Sequence, residues 1–222
     1  MLRRRAMMAQ ASGAGPSPVE CPYITDGLIF WLDGINRGGV AGQWTDLIGG
    51  KTFTLYNVTE NEDCVTFSNQ GYGICNGAIS SNWETETLEF AVKSIGITSR
   101  CFLCQPNTSP SGIGFITQNS GYQFNINING ERQAIWNANS GVRMLSANNS
   151  FAVINGTQKT KKTSTDSWAG NQTNNTYLCC RMTTSMSRYF GGTVHSVRIY
   201  NRHLSVEEMQ ANQAVDAARF NL

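Results

Sequence analysis

The sequence lacks the features that mark several large classes of protein. Only 14% of its 222 residues are charged and the net charge is +2, so no strong overall field attracts an acidic partner. Histidine occurs twice, and neither a nucleophile turn nor a glycine-rich phosphate loop is present, which argues against a serine triad and a nucleotide site. No apolar run reaches the roughly 18–20 residues of a membrane span. These absences predict a soluble chain.

The cysteine count does not fit a secreted disulfide framework. There are seven cysteines, an odd number on a chain of this size, so we expect buried reduced thiols. A zinc site built from Cys101, Cys104, Cys179 and Cys180 is the alternative. Because adjacent residues of a strand point to opposite faces, Cys179 and Cys180 should not reach one metal ion together.

The N-terminus carries the main local charge. Arg3, Arg4 and Arg5 precede only four apolar residues, fewer than the roughly 7–15 that an export signal needs. Residues 1–22 are rich in Gly, Ala, Ser and Pro, which predicts an arm that is disordered or ordered only by a partner. That partner could be an acidic groove of another protein or nucleic acid, and the protein groove is favoured.

Turn signals at short intervals predict an all-β domain over residues 23–222, without a linker or internal repeat. Alternating apolar residues flank Asn129-Gly130 in the segment 122–136, and Asn155-Gly156 follows the run 151–154. Asn-Gly supplies the two positive-φ positions of a type I′ hairpin turn. Further strands are predicted at 88–93, 176–182 and 193–200.

The C-terminal segment predicts a strand followed by a capped helix. The strand carries Val194, Val197 and Ile199, a slip of phase that indicates a bulge or burial on both faces. Ser205 and Glu208 have the spacing of a capping box, and Leu204 and Met209 that of a hydrophobic staple. We expect a helix over roughly 205–217.

This closing segment and the opening Gly27–Gly34 and Trp44–Gly50 resemble the laminin-G-like, concanavalin A-like lectin/glucanase domains. The resemblance implies a jelly-roll sandwich of two antiparallel sheets with a short C-terminal helix. It says less about function, because this sandwich occurs in enzymes, lectins and structural modules.

The segment 84–89 resembles the Glu-x-Asp-x-x-Glu strand motif of retaining glucanases. That chemistry needs two carboxyl groups about 5 Å apart on one face. Glu84 and Glu86 share a face of a regular strand, but Glu89 is five residues from Glu84 and falls on the opposite face unless a bulge intervenes. We therefore expect no enzyme.

The tryptophans divide into core and candidate binding residues. Trp31 and Trp44 lie in opening segments that such domains use for packing. Trp83 and Trp168 lie in polar surroundings and are the candidate glycan-binding residues. Asp33 and Asp46 make calcium possible, as in lectins of this superfamily, and no other cofactor is expected.

The sandwich with its basic arm is similar in style to small virion proteins of tailed phages of gut bacteria. This similarity implies a non-enzymatic head or tail accessory protein, assembled in the host cytoplasm and oligomeric in the particle. Arg3, Arg4 and Arg5 would attach it to capsid or tail proteins, and the domain would bind host or mucosal glycans. The alternatives are a bacterial lectin or carbohydrate-binding module and, less favoured, a glycan hydrolase using Glu84, Glu86 and Glu89.

Overall fold

The computed structural model describes residues 20–79, 85–94, 101–105, 113–118, 123–128, 131–137, 143–160, 175–182 and 186–222. In chain order its elements are β1 (Leu28–Asp33), β2 (Gln43–Thr45), β3 (Thr52–Glu60), β4 (Val65–Cys75), β5 (Thr87–Ser94), β6 (Cys101–Gln105), β7 (Ile113–Gln118), β8 (Gln123–Ile128), β9 (Glu131–Asn137), β10 (Met144–Asn148), β11 (Phe151–Ile154), β12 (Thr157–Thr160), β13 (Thr176–Leu178), β14 (Arg181–Met182), β15 (Met186–Ser187), β16 (Gly192–Tyr200) and α1 (Val206–Phe220). Within these ranges no helix has the length and apolarity that a membrane crossing requires.

The strands form two antiparallel layers. The first layer runs β12-β11-β10-β5-β16-β1, and the second runs β2-β3-β4-β13-β6-β7-β8-β9. The hydrogen-bonded path between them is continuous, because Thr193 and Val194 of β16 pair with Thr66 and Val65 of β4. β14 and β15 pair separately as a short hairpin. The predicted all-β sandwich with a C-terminal helix is confirmed.

β16 is the strand on which both layers converge. One edge pairs with β5 along its length, and the other edge pairs with β1 from Ser196 to Tyr200. The register with β5 shifts between Val194 and Ser196, which is the signature of a bulge. Nearly every residue of β16 is also buried. The sequence pattern allowed a bulge or burial on both faces, and the strand has both.

The main core fills the space between the two layers. Apolar side chains from both inner faces meet there in one cluster that includes Phe30, Trp44, Phe53, Phe67, Phe90, Phe102, Leu178 and Val197. Burial of side chains of this size stabilises a fold by about 1.5–3 kcal/mol each before the loss of conformational entropy is counted.

Helix α1 covers the outer face of the first layer. The Ser205 Oγ accepts from the Glu208 N–H, and the Glu208 carboxylate accepts from the Ser205 N–H, so the predicted capping box is confirmed. Leu204 and Met209 share a small apolar cluster with Val153 and Tyr200. The helix extends to Phe220, three residues beyond the predicted end.

The predicted hairpins are present where the structure describes them. β11 and β12 pair across Asn155 and Gly156, whose φ angles are 47° and 75°. β8 and β9 pair with Ile128 opposite Glu131, while their turn lies outside the described residues. The single strand predicted at 176–182 is wrong. Cys179 has a φ of 62°, so β13 ends at Leu178 and the chain restarts as β14.

A buried ionic network fixes the helix to the sheet. Arg198 of β16 is fully buried, and its guanidinium lies 2.6 Å from Asp216 Oδ2 of α1 and 2.9 Å from Glu89 Oε2 of β5. The Tyr23 ring lies 3.8 Å from the guanidinium carbon. Burial alone would lower the pKa of Arg198, but the two carboxylates hold it well above its usual value, so the guanidinium stays charged.

We predict that Arg198→Met lowers the free energy of unfolding by about 3–5 kcal/mol, because it leaves two buried carboxylates without a cation. Urea denaturation followed by circular dichroism measures this loss. Arg202→Met is the matched control, since Arg202 pairs with Glu208 near the surface. Arg202→Met should lower the free energy of unfolding by less than about 1 kcal/mol. Equal losses in the two variants would contradict the importance of the buried network.

Candidate functional site

The described residues do not include the predicted glycan-binding and attachment residues. Trp83, Trp168, Arg3, Arg4 and Arg5 all lie outside them. The predicted boundary between arm and domain is also untested, although Tyr23, the first residue of the predicted domain, is buried. The roles of these residues stay predictions.

The carboxylates considered for hydrolysis do not form an open pair in the described part of the chain. Glu84 lies outside it, and Glu86 and Glu89 are both buried. The Glu89 carboxylate accepts hydrogen bonds from Ser146, Arg198 and Asn212. Glu89 is therefore occupied in anchoring α1 to the sheet.

The opening segments have the structural role that the sequence predicted. Trp31 and Trp44 are almost completely buried. Asp46 accepts from the backbone N–H groups of Trp31, Ile48 and Gly49, so its carboxylate ties the turn after β2 to β1. Asp33 accepts from Arg219. Calcium binding at the two aspartates stays a prediction.

The cysteines are free thiols, and all but the half-buried Cys21 are buried. Cys179 lies in the main core, whereas Cys180 lies with Cys101 and Cys104 on the outer face of the second layer. The expectation that Cys179 and Cys180 point apart is confirmed. Cys101 and Cys104 share a face because the register of β6 shifts between Cys101 and Leu103.

The thiols are held in their protonated form. Burial raises the pKa of Cys180 to about 12, with a further contribution from Cys104. Burial, followed by the neighbouring Asp63, raises the pKa of Cys64 to about 11. Thiols in this state are weak nucleophiles, because the thiolate is the reactive form.

The two histidines are far from equivalent. His203 is exposed, whereas His195 is buried at the bulge of β16, where burial lowers its pKa despite the nearby Asp63. Within the described ranges the hydrogen bond and the ion pair of the His195 side chain both involve Asp63, and neither joins it to a serine.

The outer face of the second layer carries a partly exposed group of tyrosines, which we call the tyrosine cluster: Tyr56, Tyr72 and Tyr189. Tyr56 of β3 pairs directly with Tyr72 of β4, and their rings stack with centroids 4.8 Å apart and planes 19° apart. Tyr189 lies 6.2 Å from Tyr72, centroid to centroid. Tyr56 is 43% exposed, which leaves part of its ring open to solvent.

Polar side chains border this cluster. Asn57 follows Tyr56 and donates from its amide to the Gln70 carbonyl. Asn69 lies against Gly191, two residues after Tyr189, because a Cβ added at Gly191 would come within 2.7 Å of the Asn69 Oδ1. Asn57, Asn69 and Gln70 are exposed. The face thus combines aromatic rings with amides that donate and accept hydrogen bonds.

Few signals in the sequence predict this cluster. The alternation Phe53-Thr-Leu-Tyr56 places Tyr56 on the polar side of its strand, and glycines flank Tyr72. Each of these signals predicts one solvent-facing tyrosine and does not predict that the tyrosines contact one another. The three tyrosines come together because of the β3–β4 register and because residue 189 lies beside β4. Both are long-range features that a local sequence pattern cannot predict.

A cleft of about 290 Å³ lies beside the β1–β2 loop. It is lined by Ile35, Arg37, Gly39, Val40, Ala41 and Glu60. Arg37 and Glu60 form an ion pair of 3.5 Å there. Ile35 and Val40 are exposed apolar residues, so the cleft is a second place where a ligand could bind.

The fold of this chain resembles domains of several solved structures. The chain is similar to the Trypanosoma rangeli sialidase solved with the inhibitor DANA, at 15% identity and a TM-score of 0.58 over 85% of this chain. It spans about a third of the sialidase, 33% of that chain. Domain 4 of AbnA, a GH43 extracellular arabinanase from Geobacillus stearothermophilus solved with arabinotriose, gives 14% identity and a TM-score of 0.57.

The arabinanase domain matches almost as a whole, since the similarity covers 84% of this chain and 98% of that domain. At such low identity the likeness shows the fold alone. No protein-family profile matches the chain, and a search of curated protein sequences gives no match.

We predict that the native reduced protein has one rapidly reacting thiol, Cys21, and six that react only on unfolding, because the six are buried and a reagent cannot reach them. Titration with a chromogenic disulfide, with and without denaturant, counts them. Cys21→Ser should remove the fast phase, and Cys75→Ser should leave it intact. A fast phase of two or more thiols would contradict this assignment.

Proposed function

We propose that this domain binds glycans without cleaving them, and that the tyrosine cluster is the binding surface. The carrying observation is the stacked pair Tyr56–Tyr72 on an open sheet face, bordered by exposed amides. Sugar rings have apolar C–H faces and hydroxyl edges, so an aromatic ring beside amides matches both parts of the ligand.

The shape of the surface favours an extended ligand. The cluster lies across β3 and β4 and reaches Tyr189 just before β16, so it offers neighbouring rings from three segments of the chain. A chain of several sugars can contact more than one of these rings. The neighbouring arabinanase domain was solved with arabinotriose, which is a short chain of this kind.

The polar residues around the cluster favour an uncharged glycan. Asn57, Asn69 and Gln70 are neutral amides, whereas the nearest cleft with an ion pair, Arg37–Glu60, lies beside the β1–β2 loop. We therefore assign neutral oligosaccharides to the cluster.

The absence of hydrolysis is part of the same proposal. Retaining hydrolysis needs two carboxyl groups about 5 Å apart beside the ligand. Glu89 instead bonds to Arg198 and Asn212 on the face of the first layer that α1 covers. The tyrosine cluster lies on the second layer, so a sugar bound there would not meet Glu89.

We predict that the full chain binds neutral oligosaccharides on a glycan array and that Tyr56→Ala weakens this binding about tenfold. A tenfold change corresponds to about 1.4 kcal/mol, a reasonable value for one stacking ring. Isothermal titration with the best array ligand measures it, with and without calcium. Tyr56 is exposed, so the variant should keep its fold.

Matched variants distinguish the tyrosine cluster from the other candidate binding sites. Tyr56→Phe keeps the ring and should bind nearly as well as the wild type, and Val40→Ala tests the cleft. Trp83→Ala and Trp168→Ala test the two tryptophans predicted from sequence. A blank array for the folded protein would refute glycan binding, whereas unchanged binding in Tyr56→Ala and Tyr72→Ala would move the site elsewhere. Release of reducing ends would contradict the non-enzymatic assignment.

We further propose, from the sequence alone, that the arm carrying Arg3, Arg4 and Arg5 attaches the domain to a phage capsid or tail. The observation that favours this role is an arginine triplet on a Gly/Ala/Ser/Pro-rich segment. The structural neighbours reported above are carbohydrate-active enzymes and do not bear on a virion.

We predict that deletion of residues 1–22 abolishes incorporation of the protein into particles and leaves glycan binding by the domain unchanged. Immunoblotting of purified particles measures incorporation. A variant with serine at all three of Arg3, Arg4 and Arg5 tests whether the positive charge of the arm is what incorporation requires. Normal incorporation of the deletion variant would refute the attachment role.

A further inference from the structure

A compact group of metal-ligating side chains lies at the turn between β3 and β4. Asp63 and Cys64 come from this turn, and His195 comes from β16. One ligand atom from each residue lies within 4.8 Å of the other two. The closest measured approach is 3.5 Å, between the His195 Nδ1 and the Asp63 Oδ2.

The fold holds these three residues together through backbone constraints. His195 is the bulged residue of β16, between Val194 and Ser196, and bulges commonly re-aim a side chain beside a functional site. The His195 carbonyl accepts from the Gly34 N–H at 2.7 Å. A Cβ at Gly34 would lie 2.2 Å from the Asp63 carbonyl oxygen, so only glycine allows this approach of three segments.

The three side chains face one another within this group. His195 is 6% exposed, and its Nδ1 is the ring nitrogen that faces the Asp63 carboxylate, so Nδ1 is the candidate metal ligand. The Asp63 side chain is 41% exposed, so the group is open to solvent on one side.

We propose that Asp63, Cys64 and His195 bind a zinc ion, with water as the fourth ligand. Thiolate, imidazole and carboxylate are the zinc ligands of proteins, whereas calcium and magnesium prefer sets made only of oxygen. Zinc–ligand bonds of about 2.0–2.3 Å place tetrahedral ligand atoms roughly 3.3–3.8 Å apart. The partly exposed Asp63 carboxylate is the group that can close the remaining distance by rotating.

The ion would lie beside the hydrogen-bonded link between the two layers. Asp63 and Cys64 immediately precede Val65, and His195 immediately follows Val194, and these two valines belong to the short contact between β4 and β16. A zinc ion on the three residues would clamp this contact. Its binding should therefore stabilise the folded state, because the unfolded chain does not hold the ligands together.

Titration of the chelator-treated full chain with zinc tests the proposal. We expect one zinc ion per chain and a higher melting temperature with zinc than without it. Cobalt should give the visible spectrum of a tetrahedral site together with a thiolate-to-cobalt charge-transfer band. Cys64→Ser, His195→Gln and Asp63→Asn should each weaken zinc binding by about tenfold or more.

Two control variants keep the test decisive. Cys104→Ser removes a thiol from the other cysteine group, and His203→Gln removes the exposed histidine; both should bind zinc normally. Asp63→Asn alters a half-exposed side chain and retains the fold even if His195→Gln does not. A wild type that binds no zinc, or binding that persists in both Cys64→Ser and Asp63→Asn, would overturn the proposal.

Discussion

The pairing of Arg198 with Asp216 and Glu89 is the constraint on which the rest of the architecture depends. A guanidinium without exposure to water is tolerable only when carboxylates and hydrogen-bond acceptors surround it. Here they come from β5 and α1, while the Tyr23 ring covers the cation. The helix therefore cannot leave the first layer without exposing a buried charge, and its register on the sheet is fixed by the same bonds.

This arrangement makes the outer sides of the two layers different. The first layer has the core on one side and α1 on the other, which is why β16 is buried on both faces. The outer side of the second layer has no helix in the described ranges. It carries the buried cluster of Cys101, Cys104 and Cys180, and the tyrosines packed beside that cluster are partly exposed. The docking of α1 therefore accounts for the burial of the polar network on the first layer.

Local signals in the sequence predicted local structure well. The capping box of Ser205 and Glu208, the Asn155-Gly156 turn and the bulge of β16 each depend on a few neighbouring residues, and each is present. Long-range partners could not be predicted in this way. Glu89 looked like one of three strand carboxylates, but its role is set by Arg198, which is 109 residues away in the chain. The tyrosine cluster likewise depends on a register shift between Tyr56 and Val58, which no propensity contains.

Whether a domain of this kind binds or cleaves a glycan depends on whether the ligand can reach ionisable carboxylates. An acid–base mechanism needs carboxylates that a ligand can reach, and Glu89 is held under α1 by Arg198, Ser146 and Asn212. The tyrosine cluster has aromatic rings with amides nearby, and these groups can hold a sugar by stacking and hydrogen bonding. A sandwich of this kind occurs in domains attached to glycan-cleaving enzymes, so the fold does not decide the matter. The aromatic rings and amides of the tyrosine cluster are the ground for our proposal that this domain holds its ligand unchanged.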